Sequence, residues 1–254
     1  MSRKLVTLVF IFCLSAATAQ SATFTTRTET FELGGQASKV DIYRPNDHAS
    51  GAVAIVAHGF ARTRVRHRDL AEALAGAGIT AIIPDLPHVL DHWGNGDAIV
   101  QLEHAIETGA FGLPPVPRSR IVLIGTSAGG LATVLAAAKL PGLAGWIGLD
   151  PVDRTGSGVH AAAHLDAPAV VLLAEPSSCN LFGSGRSIAR AAPQLLRQSL
   201  LHGASHCDFE SPTNKFCRVM CGESSSQMQT LARNVTVDAA LELLRRSGAP
   251  SEWR

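Results

Sequence analysis

The sequence predicts an α/β protein with a mostly parallel central sheet, helices on both faces of the sheet and an antiparallel hairpin at one N-terminal edge. Two observations lead to this prediction. Short apolar runs alternate with segments in which apolar residues recur at helical spacing. Several of these runs are apolar throughout, as expected of central strands that are covered on both faces. The chain of 254 residues is long enough to form one such domain with a well-buried core.

The elements can be assigned in chain order from their patterns. Residues 23–33 and 40–45 alternate around the turn signal Gly34-Gly35, and they predict the edge hairpin. The further predicted strands are Ala52–Ala57, Thr80–Ile83, Ile121–Ile124, Trp146–Leu149, Ala169–Ala174 and Gln198–His202. The predicted helices are Leu70–Ala77, Asp97–Thr108, Gly130–Leu140 and Gln227–Arg246. Loops are predicted through residues 93–96 and around Cys217 and Cys221, and a polar tail from residue 247.

Residues 1–19 are predicted to be a cleaved secretory signal peptide, which leaves a single domain of residues 20–254. A basic start at Arg3 and Lys4 precedes the apolar run Leu5–Leu14, and Ala17-Thr18-Ala19 has the small residues of a cleavage site. The apolar run is too short to span a bilayer. We therefore expect an exported protein, periplasmic or secreted, with no membrane span.

The composition argues against several classes of partner. The 22 basic and 21 acidic side chains nearly balance, so no basic surface is expected for nucleic acid or an anionic membrane. Histidine pairs occur four residues apart, but none has the glutamate of the zinc motif H-E-x-x-H. We expect no metal and no cofactor, and a small-molecule or extended substrate.

The cysteines indicate disulfides. Four of them follow the predicted signal peptide: Cys179, Cys207, Cys217 and Cys221. An even number in an exported chain predicts two disulfide bonds. The residues alone leave all pairings open.

Ser127 is the candidate nucleophile. An apolar strand runs into Gly125-Thr-Ser-Ala-Gly129, and a small-residue helix follows. This G-x-S-x-G pattern between strand and helix is typical of a nucleophile elbow. The turn strains the backbone at Ser127, and side chains at Gly125 or Gly129 would collide with the neighbouring strand and helix.

A serine nucleophile needs a base and an acid that orients the base. With this elbow the acid and then the histidine follow the serine along the chain. His206 is the candidate base, because it follows the last predicted strand in a loop of small residues. Asp150, at the end of the Trp146–Leu149 strand, is the preferred acid. Glu175 and Asp153 are the alternatives.

Two backbone amides are candidates for an oxyanion hole. The N–H of Ala128 directly follows the nucleophile and opens the helix, where it has no internal partner. The N–H of Phe60 lies in the loop after the Ala52–Ala57 strand. His58 in the same loop is interpreted as shaping that loop.

Three segments, His58-Gly-Phe60, Gly125–Gly130 and Gly148-Leu-Asp-Pro-Val152, resemble the chlorophyllase branch of the α/β-hydrolase superfamily. This branch is similar to the cutinase-like polyester hydrolases and the dienelactone-hydrolase-like esterases. The resemblance implies the α/β-hydrolase fold and ester hydrolysis. It also favours Asp150 as the acid, since the chlorophyllase acid lies in a similar Asp-Pro-Val turn. Polyester hydrolases have a disulfide near the histidine loop, which implies the pairs Cys179–Cys207 and Cys217–Cys221.

The resemblance does not extend to chlorophyll as a substrate. Ala128 follows the serine where chlorophyllases often have arginine, and a secretory signal does not suit a plastid enzyme. The sequence therefore predicts a secreted serine esterase that acts through an acyl-enzyme on Ser127, His206 and Asp150. The alternatives are an acyltransferase on the same three residues and a non-catalytic binding protein with this fold.

Overall fold

The computed structural model describes residues 23–46 and 49–248, so the predicted signal peptide and most of the predicted tail lie outside the described residues. The strands are β1 Phe24–Leu33, β2 Gln36–Pro45, β3 Val53–Ala57, β4 Thr80–Pro84, β5 Ile121–Thr126, β6 Gly145–Leu149, β7 Ala169–Leu173 and β8 Leu195–Leu200. The helices are α1 Arg68–Gly76, α2 His92–Glu107, α3 Ala128–Ala137, α4 Ser157–Ala162, α5 Gly185–Ala191, α6 Lys215–Cys221 and α7 Ser226–Arg246.

The strands form one eight-stranded sheet in the order β1-β2-β4-β3-β5-β6-β7-β8. β1 pairs with β2 and β2 with β4 in antiparallel fashion, and the remaining pairs are parallel. The mostly parallel sheet with an antiparallel N-terminal edge pair is confirmed. The carboxyl ends of β3 to β8 consequently lie along one edge of the sheet, where such folds place their sites.

The core has two layers because side chains of each central strand alternate between the two faces of the sheet. On one face Ile55, Leu123 and Val171 pack with helices α2 to α5. On the other face Val56 and Leu172 pack with α1 and α7. Helices therefore cover both faces, as predicted. No helix among residues 23–46 and 49–248 has the length and apolar character needed to cross a bilayer.

The loop predicted through residues 93–96 is wrong, because α2 begins at His92. The side chain of Asp91 caps this helix by accepting a hydrogen bond of 2.8 Å from the Gly94 amide. Gly96 permits close packing of α2 on α3, since a Cβ there would lie 3.2 Å from Cβ of Leu135. These glycines thus mark a cap and a helix contact instead of a loop.

Other departures concern short elements at the far side of the sheet. The last strand is Leu195–Leu200 instead of Gln198–His202, and it is an edge strand whose side chains are mostly half-exposed. Helices α4 and α5 are too short to show an apolar repeat in the sequence and were not predicted.

The predicted cysteine pairing is wrong. Cys179 is bonded to Cys221, and Cys207 is bonded to Cys217. The reason is that residues 215–221 form helix α6 and not a loop. Cys217 and Cys221, four residues apart, lie on one side of this helix, and each reaches a different neighbouring loop. The two bonds therefore fasten α6 to the loop after β7 and to the segment after His206.

Candidate active site

Ser127 lies in a sharp turn between β5 and α3, at the carboxyl end of the parallel strands. Its φ of 56° and ψ of −122° are rarely adopted by a residue with a side chain. A Cβ on Gly125 would overlap the Gly129 carbonyl oxygen, and a Cβ on Gly129 would overlap that of His58. The predicted need for both glycines is confirmed, and the turn leaves Ser127 partly exposed beside buried strands.

His206 and Asp150 form a hydrogen-bonded pair next to this turn. Nδ1 of His206 lies 2.6 Å from Oδ2 of Asp150, and the two residues are 8% and 0% exposed. Asp150 directly follows β6, and the Ser127 amide donates to the carbonyl of Leu149 at 3.0 Å. Because a carboxylate only accepts, Nδ1 of His206 carries the proton. Its Nε2 is then the basic nitrogen when the ring is neutral.

The alternative acids do not contact His206. The Glu175 carboxylate lies 3.3 Å from Nδ1 of His202, whose side chain is 84% exposed. The Asp153 carboxylate accepts hydrogen bonds from four backbone amides, those of residues 155, 156, 158 and 159. Asp153 therefore caps helix α4. Among the described residues, Asp150 is the carboxylate that is hydrogen-bonded to His206.

The loop after β3 passes directly against the Ser127 turn, since a Cβ on Gly59 would lie 3.2 Å from Cβ of Ser127. Phe60 and Ala128 border one small pocket of about 40 Å³. Neither of their amides donates a backbone hydrogen bond within the part of the chain that the structure describes. The pocket is completed by the loop after β4 and the start of α2, through Leu86, His88, Val89, His92 and Asn95.

The solved structure of a dienelactone hydrolase from Anabaena variabilis ATCC 29413 superimposes on this chain with a TM-score of 0.64. The match covers 88% of this chain and 98% of the other, at 18% sequence identity. The chain has the α/β-hydrolase fold. No protein-family model matches the sequence, and no curated protein matches it significantly.

Within the α/β-hydrolase fold, His58 organises the loop that carries Phe60. Its Nε2 accepts a hydrogen bond of 2.9 Å from the Leu86 amide, so the proton is on Nδ1, which lies 2.9 Å from the Gly59 carbonyl oxygen. Burial lowers the pKa of His58, which agrees with a neutral ring. The interpretation of His58 as a residue that shapes the loop matches this geometry.

An ion pair joins this loop to the segment after His206. Nε of Arg62 lies 2.9 Å from Oε1 of Glu210, and both side chains are about nine-tenths buried. Burial raises the pKa of Glu210, and Arg62 opposes the rise. Arg62 also contacts Oδ1 of Asn214, the residue that caps α6. The Phe60 loop and the His206 segment are thereby fixed relative to each other.

Three residues of the site were not predicted: Asn180, Arg62 and Glu210. Asn180 donates a hydrogen bond of 3.0 Å to Oδ2 of Asp150. Its sequence context, a single asparagine in a loop, has no signal that distinguishes it from an ordinary turn residue. Arg62 and Glu210 are 148 residues apart, and such a pair is recognised only in the folded protein.

His67, near His58, is expected to make the stability of the protein depend on pH. Its side chain is fully buried, and neither ring nitrogen has a hydrogen-bond partner among the described residues. Burial, with a smaller effect of His58, lowers its pKa from 6.5 to about 3. The unfolded chain therefore binds a proton below pH 6.5 that the folded chain excludes. The free energy of unfolding is therefore unaffected by protonation of His67 above pH 6.5, and it decreases as the pH falls from 6.5 towards 3.

We expect His67→Leu to flatten this pH dependence. By pH 4 the wild type should have lost about 3 kcal/mol of its free energy of unfolding through His67, and the variant should not. Urea unfolding at several pH values from 7 to 4 measures the difference. His202→Gln, at an exposed histidine, is the control and should follow the wild type. Parallel curves for the wild type and His67→Leu would contradict the prediction.

Proposed function

We propose that this protein is an exported serine hydrolase that cleaves carboxylic esters through an acyl-enzyme. The observation that carries the proposal is the buried hydrogen bond between His206 and Asp150 next to the strained turn of Ser127. A serine in such a turn, a histidine with a basic Nε2 and a carboxylate behind it are the three parts of a catalytic triad. The α/β-hydrolase fold is in keeping with this chemistry.

In the proposed reaction the Ser127 oxygen attacks the ester carbonyl carbon while Nε2 of His206 takes the hydroxyl proton. The amides of Phe60 and Ala128 donate hydrogen bonds to the resulting oxyanion. The tetrahedral intermediate then collapses, and His206 returns the proton to the leaving alcohol. Water, activated by the same nitrogen, releases the carboxylic acid from Ser127. Asp150 holds the imidazole and compensates its positive charge in both steps.

The Ser127 hydroxyl makes no hydrogen bond to the residues that the structure describes. Catalytic hydrogen bonds in unliganded enzymes are often long and shorten when substrate binds. We therefore expect the contact between Ser127 and Nε2 of His206 to form in the substrate complex.

The surroundings of the site support a substrate with an apolar part. Large apolar side chains are exposed on loops and helices at the carboxyl edge of the sheet: Phe60, Val89, Leu90, Trp93, Phe182, Phe216, Val219 and Met220. Each of these belongs to a segment that follows β3, β4, β7 or β8. An ester with an acyl chain of several carbons would cover more of this surface than an acetate.

Export is supported by two disulfides, which persist in oxidising compartments. Both bonds fasten segments next to the proposed triad. The predicted signal peptide of residues 1–19 is part of this proposal.

The proposal is tested with the predicted mature chain, residues 20–254, produced where disulfides form. Hydrolysis of p-nitrophenyl esters from acetate to octanoate should be catalysed, with kcat/KM rising from acetate to the longer chains. A fluorophosphonate should label the protein at one site, which peptide mass spectrometry should identify as Ser127. Background rates with every ester and no labelling of Ser127 would overturn the proposal and favour a binding protein with this fold.

A further inference from the structure

We propose that Asn180 is a positioning residue of the site, which holds the carboxylate of Asp150 in the orientation that His206 requires. The inference rests on the proposed hydrolase function and adds a residue to its site. It starts from the hydrogen bonds that Asp150 accepts. Oδ2 of Asp150 lies 2.6 Å from Nδ1 of His206 and 3.0 Å from Nδ2 of Asn180. Oδ1 accepts from the Ala174 amide at 3.1 Å.

These three donors fix the plane of the carboxylate. The Ala174 amide belongs to the backbone next to β7, and it defines the position of one oxygen only. A second donor, on the other oxygen, is needed to prevent the carboxylate from rotating about the bond between Cβ and Cγ of Asp150. His206 cannot supply this restraint alone, because its own ring is the group that Asp150 has to orient. Asn180 is fully buried and can therefore hold the second oxygen of Asp150 in a fixed position.

The orientation of the Asn180 amide is unambiguous. Its Oδ1 accepts hydrogen bonds from the amides of Ser177 at 2.8 Å and Gly183 at 3.1 Å. A backbone N–H can only donate, so the oxygen of Asn180 must face these two groups. The NH₂ group then faces Asp150 and the Glu175 carbonyl oxygen, the latter at 2.9 Å. All hydrogen-bonding capacity of the amide is used within the protein.

The loop around Asn180 is not explained by core packing. Leu181 and Phe182 have φ values of 50° and 55°, which are uncommon for residues with side chains and are found where surrounding contacts enforce them. Phe182 is 73% exposed, so burial of this side chain does not account for its conformation. The neighbouring Cys179 is fastened to α6 by a disulfide. The loop is held in a strained shape whose buried centre is the Asn180 amide.

Asn180→Asp is the sharpest test because the two side chains have the same shape. An aspartate keeps an oxygen that can accept from Ser177 and Gly183, so the loop retains those bonds. Its second oxygen replaces the donor and faces the Asp150 carboxylate. The added negative charge should favour the protonated imidazole of His206. Three other carboxylates lie close to the segment of His206: Glu210, which is paired with Arg62, Asp208, which accepts from the Ser205 amide, and Glu175, which accepts from the Gly203 amide. The substitution changes none of them.

The first measurement follows the His206 imidazole by NMR across pH in a Ser127→Ala background, and needs no substrate. We expect the titration midpoint to rise by about one pH unit in Asn180→Asp, and by less in Asn180→Ser, which removes the donor without adding charge. Asn95→Asp makes the same chemical change at another buried asparagine, whose amide bonds His88. Asn95→Asp is a control for the titration only, and it should leave the midpoint of His206 unchanged.

The second measurement is kinetic, with Ser127 restored. Asn180→Asp should lower kcat at pH 7 at least 10-fold, change KM less than threefold, and move the acid limb of kcat/KM upwards with the midpoint. An unchanged midpoint in Asn180→Ser, with melting showing a folded protein, would overturn the positioning role, because an aspartate at position 180 that binds a proton still donates to Asp150. Since the titration requires no catalysis, a negative ester assay with a shifted midpoint would contradict the proposed hydrolase alone.

Discussion

Replacement of Ser127 by alanine is expected to lower kcat for ester hydrolysis by about 10⁴-fold or more. The variant keeps the pocket and both candidate oxyanion amides but has no oxygen to form the acyl-enzyme. KM should change little, because substrate binding does not use the hydroxyl. The strained backbone at Ser127, with φ of 56°, is compatible with alanine to the same degree as with serine. The comparison is made by steady-state kinetics on the ester that the wild type hydrolyses fastest.

Ser50→Ala is the matched control for this prediction. The Ser50 hydroxyl donates to the Gly78 carbonyl oxygen at 2.8 Å, near the start of β3 and therefore at the opposite end of the sheet from Ser127. Its loss should lower the free energy of unfolding by about 1 kcal/mol and leave kcat unchanged. Equal losses of activity in both variants would indicate a general defect in folding. Equal, low activity of the wild type and Ser127→Ala would contradict a nucleophilic role for Ser127.

The sheet could be predicted from the sequence because its strands are buried on both faces. The runs that became β3, β5, β6 and β7 are apolar throughout, and each ends in a polar residue or a turn. Few structures other than a strand buried on both faces fit such a pattern. Short helices are harder: α4 and α6 span fewer than two turns. Their apolar residues cannot show a helical repeat. The cysteine pairing implied by the resemblance is wrong because Cys217 and Cys221 lie four residues apart on one side of α6, where each is bonded to a cysteine of another segment.

The site was predictable where chemistry depends on local spacing. The Ser127 turn requires glycine at positions 125 and 129, and the five-residue pattern G-x-S-x-G shows both glycines in the sequence. The sequence favours Asp150 over Glu175 by its place directly at the end of the Trp146–Leu149 strand, and the resemblance to chlorophyllases adds to this preference. The contact that separates them, between Asp150 and His206, joins residues that are 56 positions apart. Asn180 could not be predicted, because its role depends on the conformation of its loop. Leu181 and Phe182 have left-handed backbone angles there, and neither is a glycine that would indicate such a conformation in the sequence.

The second large effect is expected for Asp150→Asn, which should lower kcat by about 10⁴-fold with little change in KM. The asparagine preserves the size of the side chain and can still accept the Ala174 hydrogen bond. It places an amide where the carboxylate accepted from Nδ1 of His206, and it favours the tautomer with the proton on Nε2. That nitrogen would then face Ser127 as a donor and could not take its proton. The imidazolium formed in the reaction would also lose its compensating charge.

Glu175→Gln and Asp153→Asn are the matched changes at the two alternative acids. Glu175 interacts with the exposed His202, so its replacement should change kcat less than threefold. Asp153 caps α4, so Asp153→Asn should cost about 1 kcal/mol of unfolding free energy and leave kcat within the same range. A loss of kcat in Glu175→Gln as large as that in Asp150→Asn would contradict the assignment of the acid. If only Asp150→Asn inactivates the protein, the hydrogen bond between Asp150 and His206 is the one on which catalysis depends.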